Sequence, residues 1–283
     1  MVDSFQVFSV QLSVFRPRAG TVPLNTECRA LKIYFRNSHR HEPAPGPKYF
    51  HPMSTDSRHI LGVFEDAIRH INDDIRQMGR IARANLDHAV RGLLERNVDF
   101  CNRAIADDEQ VDELEKQIDR EGVEIIMKFG PVAKDLRRVI STMKAATAIE
   151  RISDHAVALA RRAKLISLRD VIADTAGVQN IYELAAAMLK DAVTSFCEGD
   201  LQAALMIQGR DGELDNAYRD YNRSLTAHMA ADVPNIPTYV DLLFCARFIE
   251  RIGDQSVNIA EDAVYLLTAM DIRHGGKLPD PPK

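Results

Sequence analysis

The sequence predicts an all-α fold of two tandem three-helix bundles related by an internal repeat, and three observations carry that expectation. Between residues 53 and 278 only Pro131, Pro234 and Pro237 occur, so almost nothing there breaks a helix interior. Apolar residues recur at three/four spacing, as in Ile68, Ile71, Ile75, Met78, Ala82, Ala89 and Leu93, the stripe of a helix facing a bundle core. Finally, Glu150-Arg151-Ile152-Ser153-Asp154 returns one hundred positions later as Glu250-Arg251-Ile252-Gly253-Asp254. From Ala145 to Ala160 against Cys245 to Ala260, eight of sixteen positions are identical. A match of that length at one offset marks a structural unit built twice.

The elements follow in order. A first helix runs from about residue 57 until Asn97 breaks it, with Met53-Ser54-Thr55-Asp56 as its capping region. A second spans 98–129 and ends at Gly130-Pro131; a third spans 133–167. Residues 168–176 join the halves, giving a first repeat over 57–168 and a second over 175–270. Three more helices are expected at 177–198, 200–231 and 237–270, with Gly199-Asp200 as a stop-and-cap pair and Pro234/Pro237 at the last turn. Residues 271–283 form a tail whose proline-rich end points to disorder.

Residues 1–52 differ from the rest. They hold six of the twelve prolines and seven of the eighteen Phe and Tyr residues, and Phe5-Gln6-Val7-Phe8-Ser9-Val10 alternates like a strand. Two readings compete: an appendage packed on the bundle, or an extension upstream of a natural start at Met53. The second is expected here, and a chain beginning at Met53 should keep its cooperative unfolding.

Composition excludes several classes. A net charge of −5 and a pI near 6.0 leave no basic surplus for nucleic acid. Cys28, Cys101, Cys197 and Cys245 lie far apart with no Cys-x-x-Cys pair, which argues against a disulfide scaffold and suits a reducing, cytoplasmic setting. No run approaches the roughly twenty apolar residues of a membrane span. Met1-Val2-Asp3-Ser4 lacks the basic start of a signal peptide.

The repeated motif places two carboxylates four residues apart on one helix face. With 41 acids in 283 residues, about six such pairs arise by chance, and a solvated face neutralised by Arg151 is the plain explanation. Register adds weight to another. If the second and third helices fold about Pro131, Glu150 lies level with Asp112 and Asp154 with Asp108. In the second half, folding about residues 232–233 sets Asp215 level with Glu250 and Asp211 level with Asp254. Four like charges at one level are unfavourable unless arginine, protonation or a metal compensates. Carboxylates without histidine or thiol neighbours suit hard ions such as magnesium, manganese or iron, and bundles build such sites on facing helices. These acids lie beside the stripes Ile149, Ile152, Ala156, Leu159 and Ile249, Ile252, Ser256, Ile259, so an edge groove open to solvent ions is expected.

Other residues carry less. His155 becomes Gln255 in the repeat and is expected at the surface rather than as a ligand. His39, His41 and His51 fall in the atypical N-terminal segment, and Met127, Met143 and Met206 fit core packing. Lys134, Arg137, Arg138, Arg161, Arg162 and Lys164 make the third helix basic, a solvated face or a dock for an acidic partner.

Together these segments resemble the PhoU family. The resemblance covers roughly residues 57–270 and rests on Met78-Gly79, the run Asp108-Glu109-Gln110-Val111-Asp112-Glu113-Leu114-Glu115, and Pro131-Val132-Ala133-Lys134-Asp135-Leu136-Arg137. Glu150 to Val157, Asp211-Gly212-Glu213-Leu214-Asp215 and Glu250 to Ala260 complete it. It implies paired bundles whose Glu/Asp-x-x-x-Asp motifs bind metal clusters, iron or zinc in some members, which would assign Asp108, Asp112, Glu150, Asp154, Asp211, Asp215, Glu250 and Asp254 as ligands. It also implies a cytoplasmic, often dimeric, non-enzymatic negative regulator linking the phosphate ABC transporter ATPase to a sensor histidine kinase. Asn235-Ile236-Pro237-Thr238 departs from the first-half turn, which counts against equivalence of the two metal sites. The competing class is a ferritin-like di-metal oxidase, which needs Glu-x-x-His pairs that the acid-bearing helices lack.

Overall fold

Seven α-helices and one 3₁₀ turn make up the described part of the chain. The computed structural model describes residues 55–169 and 175–273. The expectations for residues 1–52, for most of the 168–176 joint and for the tail beyond 273 lie outside them. The helices are α1 (Thr55–Leu94), α2 (Val98–Ala106), α3 (Asp108–Phe129), α4 (Ala133–Ser167), α5 (Ala176–Glu198), α6 (Leu201–Ala231) and α7 (Ile236–Thr268), with the 3₁₀ turn at Val233–Asn235 before α7.

The punctuation follows side-chain chemistry. Asn97 accepts the Asp99 N–H at 2.9 Å and starts α2; Asp200 accepts the Ala203 N–H at 3.0 Å and starts α6. Gly130 (φ 56°) and Gly199 (φ 70°) end α3 and α5 in the left-handed conformation that glycine adopts without strain. One boundary differs from the sequence reading. The single helix expected over 98–129 is interrupted at Asp107, which separates α2 from α3. Three consecutive acids, Asp107-Asp108-Glu109, are better placed at a helix N-terminus, where they oppose the dipole, than in mid-helix.

Each half is a three-helix unit, the first supplemented by the short α2. The third helices α4 and α7 form the largest helix–helix interface, and they run antiparallel. Lys144 reaches Asp262 (3.4 Å), His155 stacks on Phe248 (ring centroids 6.1 Å apart), and Arg162 reaches Asp241 (2.5 Å) and covers the Phe244 ring. That register sets the Glu150 and Glu250 motifs at about the same height. One continuous apolar core runs through both halves, including Ile75, Leu86, Ile149, Ile152, Leu214 and Ile252. A smaller cluster of Phe64, Ile68, Ile71, Ile125 and Val139 closes the α3–α4 end.

Three lesser expectations are corrected. Met127 and Met206 are 73% and 71% exposed rather than packed in the core. Met127 stands two residues beyond buried Ile125, and Met206 directly before buried Ile207, so each points away from its helix's apolar stripe. His155 is half-buried against Phe248 rather than at the surface, and burial together with nearby Arg251 holds its pKa below the usual histidine value.

Candidate functional site

The long, uninterrupted α4 and α7 carry one acid motif each, and the hairpins fold each onto its partner helix. In the first half Asp108, Asp112 and Glu150 are half-buried and Asp154 is exposed. Their charges couple in the expected register. Asp108 is raised by burial and by the carboxylates of Asp112 and Asp154, against the Ser153 hydroxyl, which lowers it. Glu150 is pushed up to about 7 by burial first, then by Asp154, Glu115 and Asp112, with Arg151 opposing.

The second half repeats this with a different lining. Asp211 and Asp215 are half-buried, Asp254 is exposed and Glu250 is 7% exposed. Asp211 is raised by burial, Asp215 and Asp254; Asp254 is raised by burial and by Asp215 against Arg247 and Arg251. Glu250 is pushed up to about 7 by burial and Asp254, with Arg247 opposing. Arg247 donates to Glu250 Oε1 at 2.6 Å, while Glu250 Oε2 is buried with no hydrogen-bond partner. A solvent-open edge was expected for all eight acids. Glu250 departs from it: its side chain is buried, with Arg247 of the same helix against one carboxylate oxygen.

Three participants escaped the sequence reading. Glu115 accepts a hydrogen bond from the Thr147 hydroxyl (3.1 Å) and adds to the field on Glu150. It lies three residues after Asp112, so helical periodicity pointed to it. Ser153 donates to Asp108 Oδ1 at 2.6 Å and accepts from buried Asn85 at 3.0 Å. Arg247 stands three residues before Glu250, the i,i+3 position that ion pairs favour.

The residue types fit a hard cation. Each cluster supplies carboxylate oxygens whose ionised form is disfavoured by burial and mutual repulsion, and Glu250 Oε2 is an orphaned buried acceptor. Their oxygens do not converge tightly. Among the described residues, the group whose potential ligand atoms all fall within 4.8 Å of one another is His70, Asp74 and Glu121, elsewhere on the fold.

No helix among the described residues is long and apolar enough to cross a membrane. Comparison with known proteins identifies the scaffold. The PhoU domain model matches twice, over residues 75–163 and 178–263. A phosphate-specific transport system accessory protein PhoU homolog of Xylella fastidiosa is 32% identical over 214 residues, covering 76% of this chain and 89% of that one. The phosphate-specific transport system accessory protein PhoU of Serratia marcescens is 32% identical over 220 residues, covering 78% and 90%. The crystal structure of PhoU from Pseudomonas aeruginosa superposes with a TM-score of 0.71 at 28% identity, covering 73% of this chain and 100% of that one. The phosphate transport system regulatory protein PhoU from Streptococcus pneumoniae, at 22% identity and a TM-score of 0.68, shares the fold. With both halves matched and relatives aligned over most of their length, the chain belongs to the PhoU family.

Proposed function

We propose that this protein is a negative regulator of phosphate uptake and phosphate-starvation signalling. In this reading it couples a phosphate ABC transporter, through its ATPase, to a sensor histidine kinase. It acts in the cytoplasm as a homodimer and catalyses no reaction. The observation that carries the reading is the duplicated acid cluster on a scaffold whose two halves both match the PhoU domain, a family whose relatives are named as phosphate transport accessory proteins.

The carboxylates serve as a cation-dependent tie between helices. Asp108 and Asp112 on α3 with Glu150 and Asp154 on α4 would hold one metal site; Asp211 and Asp215 on α6 with Glu250 and Asp254 on α7 would hold the other. Iron, zinc, manganese or magnesium are the candidates. A bound cation supplies the positive charge that lets these acids ionise together. The acids themselves clamp α3 to α4 and α6 to α7, fixing the surface that partners meet.

Deleting the gene should raise phosphate-starvation gene expression in phosphate-rich medium. Unchanged expression in the deletion strain would overturn the signalling role and leave transporter control alone.

A further inference from the structure

A second kind of donor set lies away from both acid clusters, between α1 and α3. His70 and Asp74 are four residues apart on α1, and Glu121 faces them from α3. His70 Nδ1 lies 3.2 Å from Asp74 Oδ2 and 3.1 Å from Glu121 Oε2. Those separations suit one small cation. Two donors bonded at about 2.1 Å sit roughly 3.0 Å apart in octahedral geometry and roughly 3.4 Å apart in tetrahedral geometry.

The surroundings are arranged for it. Gln117 donates to Asp74 Oδ2, the oxygen that also faces His70 (3.3 Å), and to Glu121 Oε1, the oxygen turned away from it (2.9 Å), orienting both carboxylates. Among the described residues no lysine or arginine forms an ion pair with either acid; Arg69 and Arg76 are taken by Asp66 and Asp73. The Asp74 side chain is 13% exposed, so its charge has little water to stabilise it. A cavity of about 450 Å³ opens beside His70 and Glu121, with Asp66 and Glu124 also on its wall, giving a cation an acidic approach and room for water ligands. Lys128 is the cation on that wall.

We propose that His70, Asp74 and Glu121 form a mononuclear binding site for a divalent first-row transition ion, of the kind that mixed imidazole and carboxylate donors select. The site is separate from the acid clusters in position and chemistry, because it adds a nitrogen ligand and uses α1. A bound ion would pin α1 to α3 near the end of the first bundle.

Cobalt(II) is the probe, because its visible absorption reports coordination and a nitrogen ligand shifts it. The full chain, stripped of metal with a chelator, is titrated as wild type, His70→Gln, Glu121→Gln and Glu150→Gln/Asp154→Asn. The expected result is one cobalt equivalent per chain that disappears in His70→Gln and in Glu121→Gln, survives in the double variant, and is displaced by excess zinc. Gln117→Ala should weaken that equivalent roughly tenfold. His70 is mostly exposed, so the metal-free His70→Gln protein should keep its thermal midpoint; Glu121→Gln gives the same reading if it does not. Equal cobalt stoichiometry in wild type and both single variants would overturn the site, leaving a plain side-chain contact of His70 with two acids. Loss confined to Glu150→Gln/Asp154→Asn would also overturn it while supporting the acid clusters.

Discussion

The two acid clusters stand at equivalent positions of a repeat, yet they stabilise their charge differently. In the first half the motif carries Ser153, whose hydroxyl donates to Asp108, and Thr147 stands three residues before Glu150. In the second half Gly253 replaces Ser153 and Arg247 replaces Thr147. The second cluster therefore has a guanidinium on its most buried acid and no hydroxyl donor from α7 at the corresponding position. The first uses a neutral hydrogen-bond chain from Asn85 through Ser153 to Asp108. A built-in cation competes with a metal; a hydroxyl does not. If both clusters hold a metal as proposed, the first should be the stronger site, and Arg247 must yield before a metal takes Glu250.

The largest test removes the sites one at a time. Glu150→Gln/Asp154→Asn should abolish metal at the first cluster and Glu250→Gln/Asp254→Asn at the second, while each metal-free protein stays folded. The effects should be independent, because different helix pairs carry them. Metal content and metal-dependent thermal stabilisation of wild type and both variants are the measurements. Equal metal content in all three would sink the cluster reading. If the two sites lose metal at the same chelator concentration, the asymmetry drawn from Arg247 is wrong.

Arg247→Thr gives the second half the first-half residue, and its effect depends on pH. Burial already raises the Glu250 carboxyl to about 7, above the ordinary 4.5, and Arg247 holds it lower than it would otherwise be. The folded state thus binds more protons than the unfolded state between those values. Stability from this group is full below pH 4.5 and is lost as pH rises through about 7. Without Arg247 the loss continues to higher pH. At pH 8 the metal-free variant should be about 2 kcal/mol less stable than wild type, from the lost charged hydrogen bond. At pH 5, where Glu250 is protonated, the gap should nearly close. Denaturant melts at both values measure it, and a gap of equal size at both would show that Arg247 acts by packing alone. With metal present the variant should bind more tightly at the second site, since the competing cation is gone.

How far the sequence reached is clearest at this repeat. Helix register alone brought Asp154 to Asp108 and Glu250 to Asp215, because rise per residue and one turn position determine height along a hairpin. It could not show how deeply each acid sits. Glu250 and Glu150 share the motif Glu-Arg-Ile-x-Asp, yet Glu250 is buried beside Arg247 while Glu150, with Thr147 in that place, is half-buried. The break at Asp107 escaped because a one-residue interruption leaves the three/four stripe nearly intact. His155 was misplaced because its partner Phe248 lies on the other half, and single-helix patterns carry no record of that interface.

Gly253 tests the packing side of the comparison. A Cβ added there would lie 2.0 Å from Leu214 Cδ2, so the second half fills with a leucine side chain the space that Ser153 partly fills in the first. Gly253→Ser should destabilise by about 1–2 kcal/mol through overpacking, the glycine-to-serine gain in helix propensity offsetting part of the clash. In the first half, Val111 takes the position of Leu214. Adding Leu214→Val to Gly253→Ser should therefore recover most of the loss. A double variant no better than the single one would show that the two residues are not coupled.

The smallest expected effect is that of Ser153→Ala. The hydroxyl links two groups: it accepts from the fully buried Asn85 amide at 3.0 Å and donates to Asp108 at 2.6 Å. Removing it leaves the Asn85 amide without this acceptor, and Asn85 Oδ1 is already unpartnered. A cost of about 1 kcal/mol follows at neutral pH. Part of that cost is electrostatic, because the hydroxyl favours the ionised carboxylate and so opposes the upward push of burial on Asp108. In the variant Asp108 should titrate at higher pH, and the stability difference from wild type should shrink in acid, where Asp108 is protonated in both. A bound cation would take over the hydroxyl's role for Asp108 but not for Asn85. Metal should therefore narrow the gap between Ser153→Ala and wild type without closing it. A gap unchanged by pH and by metal would place the whole cost on Asn85 and remove Ser153 from the proposed metal site.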